Sequence, residues 1–164
     1  MTIRETTMPR LGRTILPDYP HHIVQRGHNR QVVFAEPRDF ERYLDTLATF
    51  KDAYCVKVYA YCLMTNHIHL ALQVGEIPLS RGMQNLSFRY TRWLNWREKR
   101  TGHLFQGRYK AVLVDGDSYL LELVRYIHLN PVRAGMVADP ADYRWSSYGE
   151  AMGGGPKGNG KKAR

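Results

Sequence analysis

The spacing of hydrophobic positions changes several times along this 164-residue chain, and each change marks an element. Alternation by two puts successive side chains on opposite faces of a strand, whereas steps of three and four build one face of a helix. His21 to Gly27 reads as a short first strand stopped by glycine, followed by a polar loop, His28-Asn29-Arg30-Gln31. Val32, Val33 and Phe34 form a short strand or extended stretch. Pro37-Arg38-Asp39 then opens a helix, with proline in the first turn and an acid near the positive helix end. Phe40, Tyr43, Leu44, Leu47 and Phe50 make its buried face. Val56 to Leu63 is rich in β-branched and aromatic residues, and His67 to Val74 alternates strictly. With the tight connection Met64-Thr65-Asn66, the two predict an antiparallel hairpin.

Met83, Leu86, Tyr90, Trp93 and Leu94 predict a second helix from about Leu79 to Arg100, its pattern ended by Gly102. Ala111 to Val114 is another strand, and Asp115-Gly116-Asp117-Ser118 a turn and helix cap. Leu120, Leu123, Val124 and Ile127 stripe a third helix that closes at Asn130-Pro131. Pro131 disfavours helical geometry at the residue before it, so the helix is expected to fray and free the Asn130 amide. Tyr143 to Tyr148 can pack as a small cap.

The order strand, helix, hairpin, helix, strand, helix predicts an α+β fold, a ferredoxin-like antiparallel sheet with helices on one face and the His67/His69 strand at its centre. Residues 1–20 read as a basic arm, 21–148 as one domain, and 149–164 as a disordered Gly- and Lys-rich tail.

Charge changes the picture. The net charge is +9, and eleven Tyr, five Phe and three Trp accompany it, a combination that suits phosphates and unstacked bases. Basic and aromatic groups interleave in His103 to Lys110, and Arg81, Arg89 and Arg92 are available to solvent or phosphate. Arg26, His28, Arg30, Arg108 and Lys110 are the DNA-contact candidates. His21, His22 and His28 have no spacing that fixes a metal geometry, and that region is read as a nucleic-acid-facing loop. Cys55 and Cys62 are separated by an odd offset that argues against a disulfide, and no Cys-x-x-Cys pair suggests structural zinc. No leader-like stretch or bilayer-length apolar run is visible, which gives a cytoplasmic expectation without a membrane partner.

The sharpest chemistry lies in Asn66-His67-Ile68-His69-Leu70. His67 and His69 project from one strand face, roughly 7 Å apart at the backbone, and two imidazoles on that base can converge on one cation. Tyr119, Glu122, Tyr126 and Asn130 follow one another down a flank of the third helix. Tyr90 is a competing nucleophile, but its place in an apolar stripe beside Trp93 and Leu94 assigns it to the core.

The Asn-His-Ile-His-Leu hairpin, Gly-His-Leu-Phe-Gln-Gly-Arg-Tyr-Lys at 102–110, and Tyr126 to Arg133 together resemble the REP-associated tyrosine transposases of the single-tyrosine HUH superfamily. Gln25 to Arg30 and Trp145 to Tyr148 are similar to that family as well, so the resemblance covers residues 8 to 148. It implies His67 and His69 as ligands of a divalent ion, Mg²⁺ or Mn²⁺, Tyr126 as the nucleophile and Asn130 as the third, polar ligand. The implied activity is single-stranded DNA cleavage and strand transfer on hairpin-forming palindromic repeats through a 5′-phosphotyrosine, with no organic cofactor. The alternative is a non-catalytic hairpin-binding or regulatory module on the same scaffold. A monomer and a homodimer, with the tyrosine acting in cis or in trans, are both compatible with the resemblance.

Overall fold

A computed structural model describes residues 15–153. The chain runs β1 (Pro20–Arg26), α1 (Pro37–Ala53), β2 (Lys57–Leu63), β3 (His67–Gln73), α2 (Leu79–Glu98), β4 (Lys110–Leu113), α3 (Asp117–His128), α4 (Asn130–Arg133) and α5 (Tyr148–Ala151). One-turn 3₁₀ helices occupy His28–Arg30 and Pro140–Asp142. The strands form one sheet in the order β2-β3-β1-β4, with antiparallel neighbours throughout, which is the ferredoxin-like arrangement of two interleaved βαβ units.

The alternation in β3 divides the sheet cleanly. Ile68, Leu70 and Leu72 join Ile23 of β1 beneath Tyr43, Leu47 and Phe50 of α1 and Met83, Leu86 and Tyr90 of α2. On the opposite face, Ala71 with Ala60 and Cys62 of β2 meets Ile127, Leu123 and Val124 of α3. The α+β class and the antiparallel sheet are as the sequence predicts, but the helices do not all share one face. α1 and α2 cover one side, while α3 crosses the other, beside the histidines. Its aliphatic stripe needs an apolar floor, and the small Ala60 and Ala71 side chains provide one.

A register shift between Val58 and Ala60 inserts Tyr59 as an extra residue in β2. Val58 pairs with Leu72 and Tyr61 with Leu70, so both serve the α1/α2 face although they are three positions apart. Simple alternation through β2 would have placed Val58 with Ala60 instead.

α1 begins at a reciprocal cap in which the Asp39 carboxylate accepts from the Ala35 and Glu36 amides. Asp39 is buried and ion-paired with Arg97 of α2, which ties the two helices together. Burial opposes the charged Asp39 carboxylate, but Arg97 and the two amides outweigh it and hold its carboxyl below the usual range.

Other expectations are corrected in detail. Val33 and Phe34 make no ladder; both amides donate to the Thr65 carbonyl and dock the segment on the β2–β3 turn. α2 stops at Glu98, just short of the expected Arg100, with Lys99 rather than Gly102 adopting left-handed geometry as the cap. The helix carrying Tyr126 does not fray at Asn130. Leu129 stays helical, Leu129 accepts from Arg133, and Asn130 accepts from Ala134. Pro131 lies in the first turn of α4, where its missing N–H breaks nothing. α5 crosses the expected boundary at residue 148, while the expectations for residues 1–14 and 154–164 fall outside the described residues. The 143–148 cap does form: Trp145 stacks on Phe40, and the Tyr143 hydroxyl donates to the Leu63 carbonyl.

Candidate active site

Strand register assembles the site face. Val24 lies opposite His69, Arg26 opposite His67 and His22 opposite Ala71, so His22 and Arg26 share the face of the two β3 histidines. On the other side of β1, Lys110 lies opposite Val24 and Val112 opposite His22. α3 crosses this floor and brings Tyr126 over it. The Tyr126 ring centroid is 5.9 Å from that of His69 and 6.0 Å from that of His22, both in edge contact. His67 and His69 are themselves 5.1 Å apart, ring to ring.

Both β3 histidines are held through Nδ1. His67 Nδ1 bonds Asn66 Oδ1 at 2.8 Å, and His69 Nδ1 bonds His22 Nε2 at 3.0 Å. Because an amide oxygen can only accept, His67 carries its proton on Nδ1 and keeps a lone pair on Nε2. No hydrogen bond among the described residues engages Nε2 of His67 or His69. Burial lowers the pKa of His22 and, helped by Arg26, that of His67. His69, only 4% exposed, is pushed down to about 3 by burial and by neighbouring His67, His22, Arg26 and Arg133. All three imidazoles are therefore neutral at pH 7, the form in which an imidazole binds a metal.

Tyr126 is 45% exposed, so its hydroxyl is open to a macromolecular ligand. The Arg133 guanidinium lies over its ring, 4.0 Å from the centroid, and donates to the Tyr126 backbone carbonyl. Asn130 is half-buried, and its Nδ2 has no hydrogen-bond partner among the described residues. No hydrogen bond among the described residues holds that amide in one orientation, and a half-turn about its last torsion exchanges nitrogen for carbonyl oxygen. Among the described residues, no group of three His, Cys, Asp or Glu side chains is arranged to hold a metal. A cation at His67 and His69 therefore needs a different third donor, and the Asn130 carbonyl has suitable chemistry for a hard ion.

Tyr90, the competing candidate, belongs to the core, as its stripe predicts. Tyr90 is completely buried and donates to the Val33 carbonyl at 2.6 Å, and burial drives its pKa up. Glu122 is exposed on its helix. Of the DNA-contact candidates, Arg26 and Lys110 belong to the histidine face. His28 and Arg30 project from the exposed turn beyond β1, and Arg108 lines a separate groove with Ile77, Pro78 and Ser80. Cys55 and Cys62 are both free.

Sequence reasoning missed His22 and Arg133. His22 lies in β1, within the first strand that the sequence predicts, but its partner there, His69, is one that the sequence does not reveal. Its parity with Arg26 was visible, but the register that sets it beside β3 was not. Arg133 follows Tyr126 by seven residues, a helical spacing that was hidden by ending the helix at Pro131.

An antiparallel ferredoxin-like sheet with paired histidines on a central strand, faced by a tyrosine on a crossing helix, defines a class of site rather than a single protein. The sequence profile described as "Transposase IS200 like" matches residues 16–130, and the chain belongs to that family. It is 28% identical over 106 residues to a Haemophilus influenzae protein named as a REP-associated tyrosine transposase, a match spanning 58% of this chain and 60% of that one. A REP-associated tyrosine transposase solved with a REP hairpin superposes with a TM-score of 0.78 at 16% identity, covering 92% of this chain and 89% of the other. A transposase from Deinococcus radiodurans superposes with a TM-score of 0.50 at 15% identity, covering 73% of this chain and 95% of its own. At these identities the superpositions establish the shared fold.

Proposed function

We propose that the chain is a metal-dependent single-stranded DNA endonuclease and strand transferase that acts on hairpin-forming DNA through a 5′-phosphotyrosine. The carrying observation is the approach of Tyr126 to His69 and His22 on the face that also holds His67. The hairpin partner is supported by the structural neighbour, which was solved with one, and by the +9 charge. A single chain assembles the face, which supports Tyr126 acting in cis. A protein working on chromosomal repeats acts in the cytoplasm, and no helix among the described residues is long and apolar enough to cross a membrane.

His67, His69 and Asn130 would hold Mg²⁺ or Mn²⁺. Bound there, the cation supplies Lewis-acid polarisation of the scissile phosphate. The remaining work belongs to the chain. The Tyr126 hydroxyl loses its proton and attacks phosphorus; a Tyr–O–P bond forms as the bond to the upstream 3′ oxygen breaks, and that oxygen takes up a proton. The phosphodiester energy is kept in the phosphotyrosine, so a 3′-hydroxyl can later reverse the step onto the same or a different end. Arg133 holds the Tyr126 ring, and with Arg26 and Lys110 supplies positive charge for the strand's phosphates.

His22 sets the tautomer of His69. With the His69 Nδ1–H donating to His22 Nε2, the lone pair of His69 is on Nε2, as in His67. His22 is thus a positioning residue.

The test is a denaturing gel of labelled hairpin single-stranded DNA incubated with the native chain or Tyr126→Phe, with Mn²⁺ or chelator. A protein-linked DNA band requiring both Tyr126 and the metal is expected. Hairpin binding without cleavage under any divalent metal would instead establish a non-catalytic binding module.

A further inference from the structure

The segment Trp145 to Tyr148, which the family resemblance includes, has no task in the proposed reaction. It wraps round the outer edge of β2. The Leu63 amide donates to the Trp145 carbonyl, the Ser147 amide donates to the Tyr61 carbonyl, and Ser146 pairs with Cys62 between them. Trp145 stacks on Phe40 of α1 on one side of the sheet, while on the other side Ser147 meets His128 of α3.

His128 is the last residue of α3 and only 6% exposed, and its Nε2 lies 2.8 Å from Ser147 Oγ. Ser147 Oγ already accepts from the Tyr61 amide at 2.9 Å. The Tyr61 carbonyl is 3.4 Å away, beyond the usual hydroxyl range of about 2.5–3.0 Å, so the serine hydrogen goes to His128 Nε2. The Tyr148 ring closes the pair edge-on, 5.6 Å from the imidazole centroid.

Position along the helix gives this contact its meaning. His128 follows Tyr126 and precedes Asn130 by two residues each, so at 3.6 residues per turn it points away from both, to the far side of the helix. Elsewhere α3 is lightly held. Ile127 is fully buried, but Leu123 and Val124 are half-buried, and Tyr119 and Leu121 are 65% and 72% exposed. The floor includes Ala60 and Ala71, small residues that give the stripe little to interlock with. Apolar contact of this kind has no direction and leaves rotation about the helix axis open. Arg133 holds the tyrosine ring from the helical turn that continues α3, so it does not fix that run against the sheet.

We infer that the Ser147–His128 hydrogen bond sets the rotation of α3, and with it the reach of the Tyr126 hydroxyl over the histidine pair. His128 and Ser147 are positioning residues that act through Tyr126, a role that rests on the proposed action of Tyr126 as nucleophile. Misplacing a reacting group by about 1 Å costs about 100-fold in rate, so a small rotation is enough to be measured.

The experiment uses the full chain with His128→Leu, which removes the bond and keeps the space filled, and His128→Gln, whose side-chain amide returns a polar atom near the lost Nε2. In His128→Leu the single-turnover rate of Tyr126–DNA linkage, on a hairpin single strand with Mn²⁺, should fall at least about tenfold at unchanged hairpin affinity. His128→Gln should recover most of that loss. Ser147→Ala should also slow the step, and adding it to His128→Leu should cost nothing further, since the two groups are halves of one contact. A second readout needs no DNA. With 3-fluorotyrosine at position 126, the fluorine resonance should shift or split in His128→Leu and return to its native position in His128→Gln. A resonance unmoved by His128→Leu overturns the inference whatever the rate does, and so does a native rate in that variant. A rate loss that His128→Gln does not recover, accompanied by falling hairpin affinity, overturns it as well, because the contact would then serve folding in general. If the native chain links no DNA at all, a fluorine shift in His128→Leu still upholds the positioning of Tyr126, and the failure belongs to the nuclease reading.

Discussion

His22→Phe is the most informative single perturbation of the site. It keeps a planar ring of similar size in β1 and removes the one nitrogen that meets His69 Nδ1 at 3.0 Å. His69 is 4% exposed, so water cannot readily replace the lost partner, and the proton that the proposed tautomer puts on His69 Nδ1 loses its acceptor. A net hydrogen bond is worth about 1 kcal/mol, or about a fivefold bias between the two tautomers. Partners of this kind behind metal-binding histidines typically account for about 10–100-fold in metal affinity, because they also fix the ring's orientation. The expected loss of Mn²⁺ affinity is therefore about tenfold, measured by electron paramagnetic resonance of free Mn²⁺ during titration. Nitrogen NMR of the metal-free protein should show His69 moving from Nδ1–H toward Nε2–H, while His67, held by Asn66, keeps its Nδ1 proton. His22→Gln, whose carbonyl can still accept, should restore most of the affinity. Unchanged Mn²⁺ affinity in His22→Phe, with the His69 tautomer also unchanged, would refute the reasoning.

Three further outcomes are expected. The pKa values of His22, His67, His69 and His128 are all lowered by burial, so in acid the unfolded chain binds more protons than the folded one. Stability should therefore fall as pH drops below about 6.5, with His69 alone contributing up to about 1.4 kcal/mol per pH unit over part of that range; a urea midpoint that is flat between pH 7 and 5 contradicts this. Arg97→Met leaves the buried Asp39 carboxylate with only its two amide donors and should cost about 3 kcal/mol in urea unfolding, a loss under about 1 kcal/mol arguing against the pair's role. Tyr90→Phe strands the buried Val33 carbonyl and should lower the melting temperature by a few degrees, about 2–4 °C per kcal/mol, while leaving DNA linkage intact; loss of linkage at full stability would make Tyr90 the nucleophile.

The parts of the fold carried by short-range periodicity were legible in the sequence. The alternation around His67 and His69 fixed both the strand and its histidine face, and the spacings in α1, α2 and α3 identified their buried stripes. What periodicity could not supply was pairing. Nothing local says that β1 runs beside β3 in the register Val24 to His69, so His22 could not be joined to the site. The side of the sheet taken by α3 depends on Ala60 and Ala71 leaving room for Ile127, a tertiary fit between distant segments. Pro131 misled in the opposite direction. Its local preference argued for a break after Tyr126, but at the first turn of α4 a proline is tolerated, and the chain continues far enough to place Arg133 on the tyrosine ring. The family motifs pointed to Tyr126, His67, His69 and Asn130, whereas His22 and Arg133 needed coordinates to be seen.

The central claim is that Tyr126 becomes covalently joined to DNA beside the histidine pair. Its most direct measurement is to incubate the native chain with Mn²⁺ and a hairpin single strand, digest the product with nuclease and protease, and locate the nucleotide-bearing residue by mass spectrometry. The account predicts a 5′-phosphoryl adduct on Tyr126, absent when chelator is added. An adduct on any other residue, or strand cleavage with no protein adduct, would contradict it.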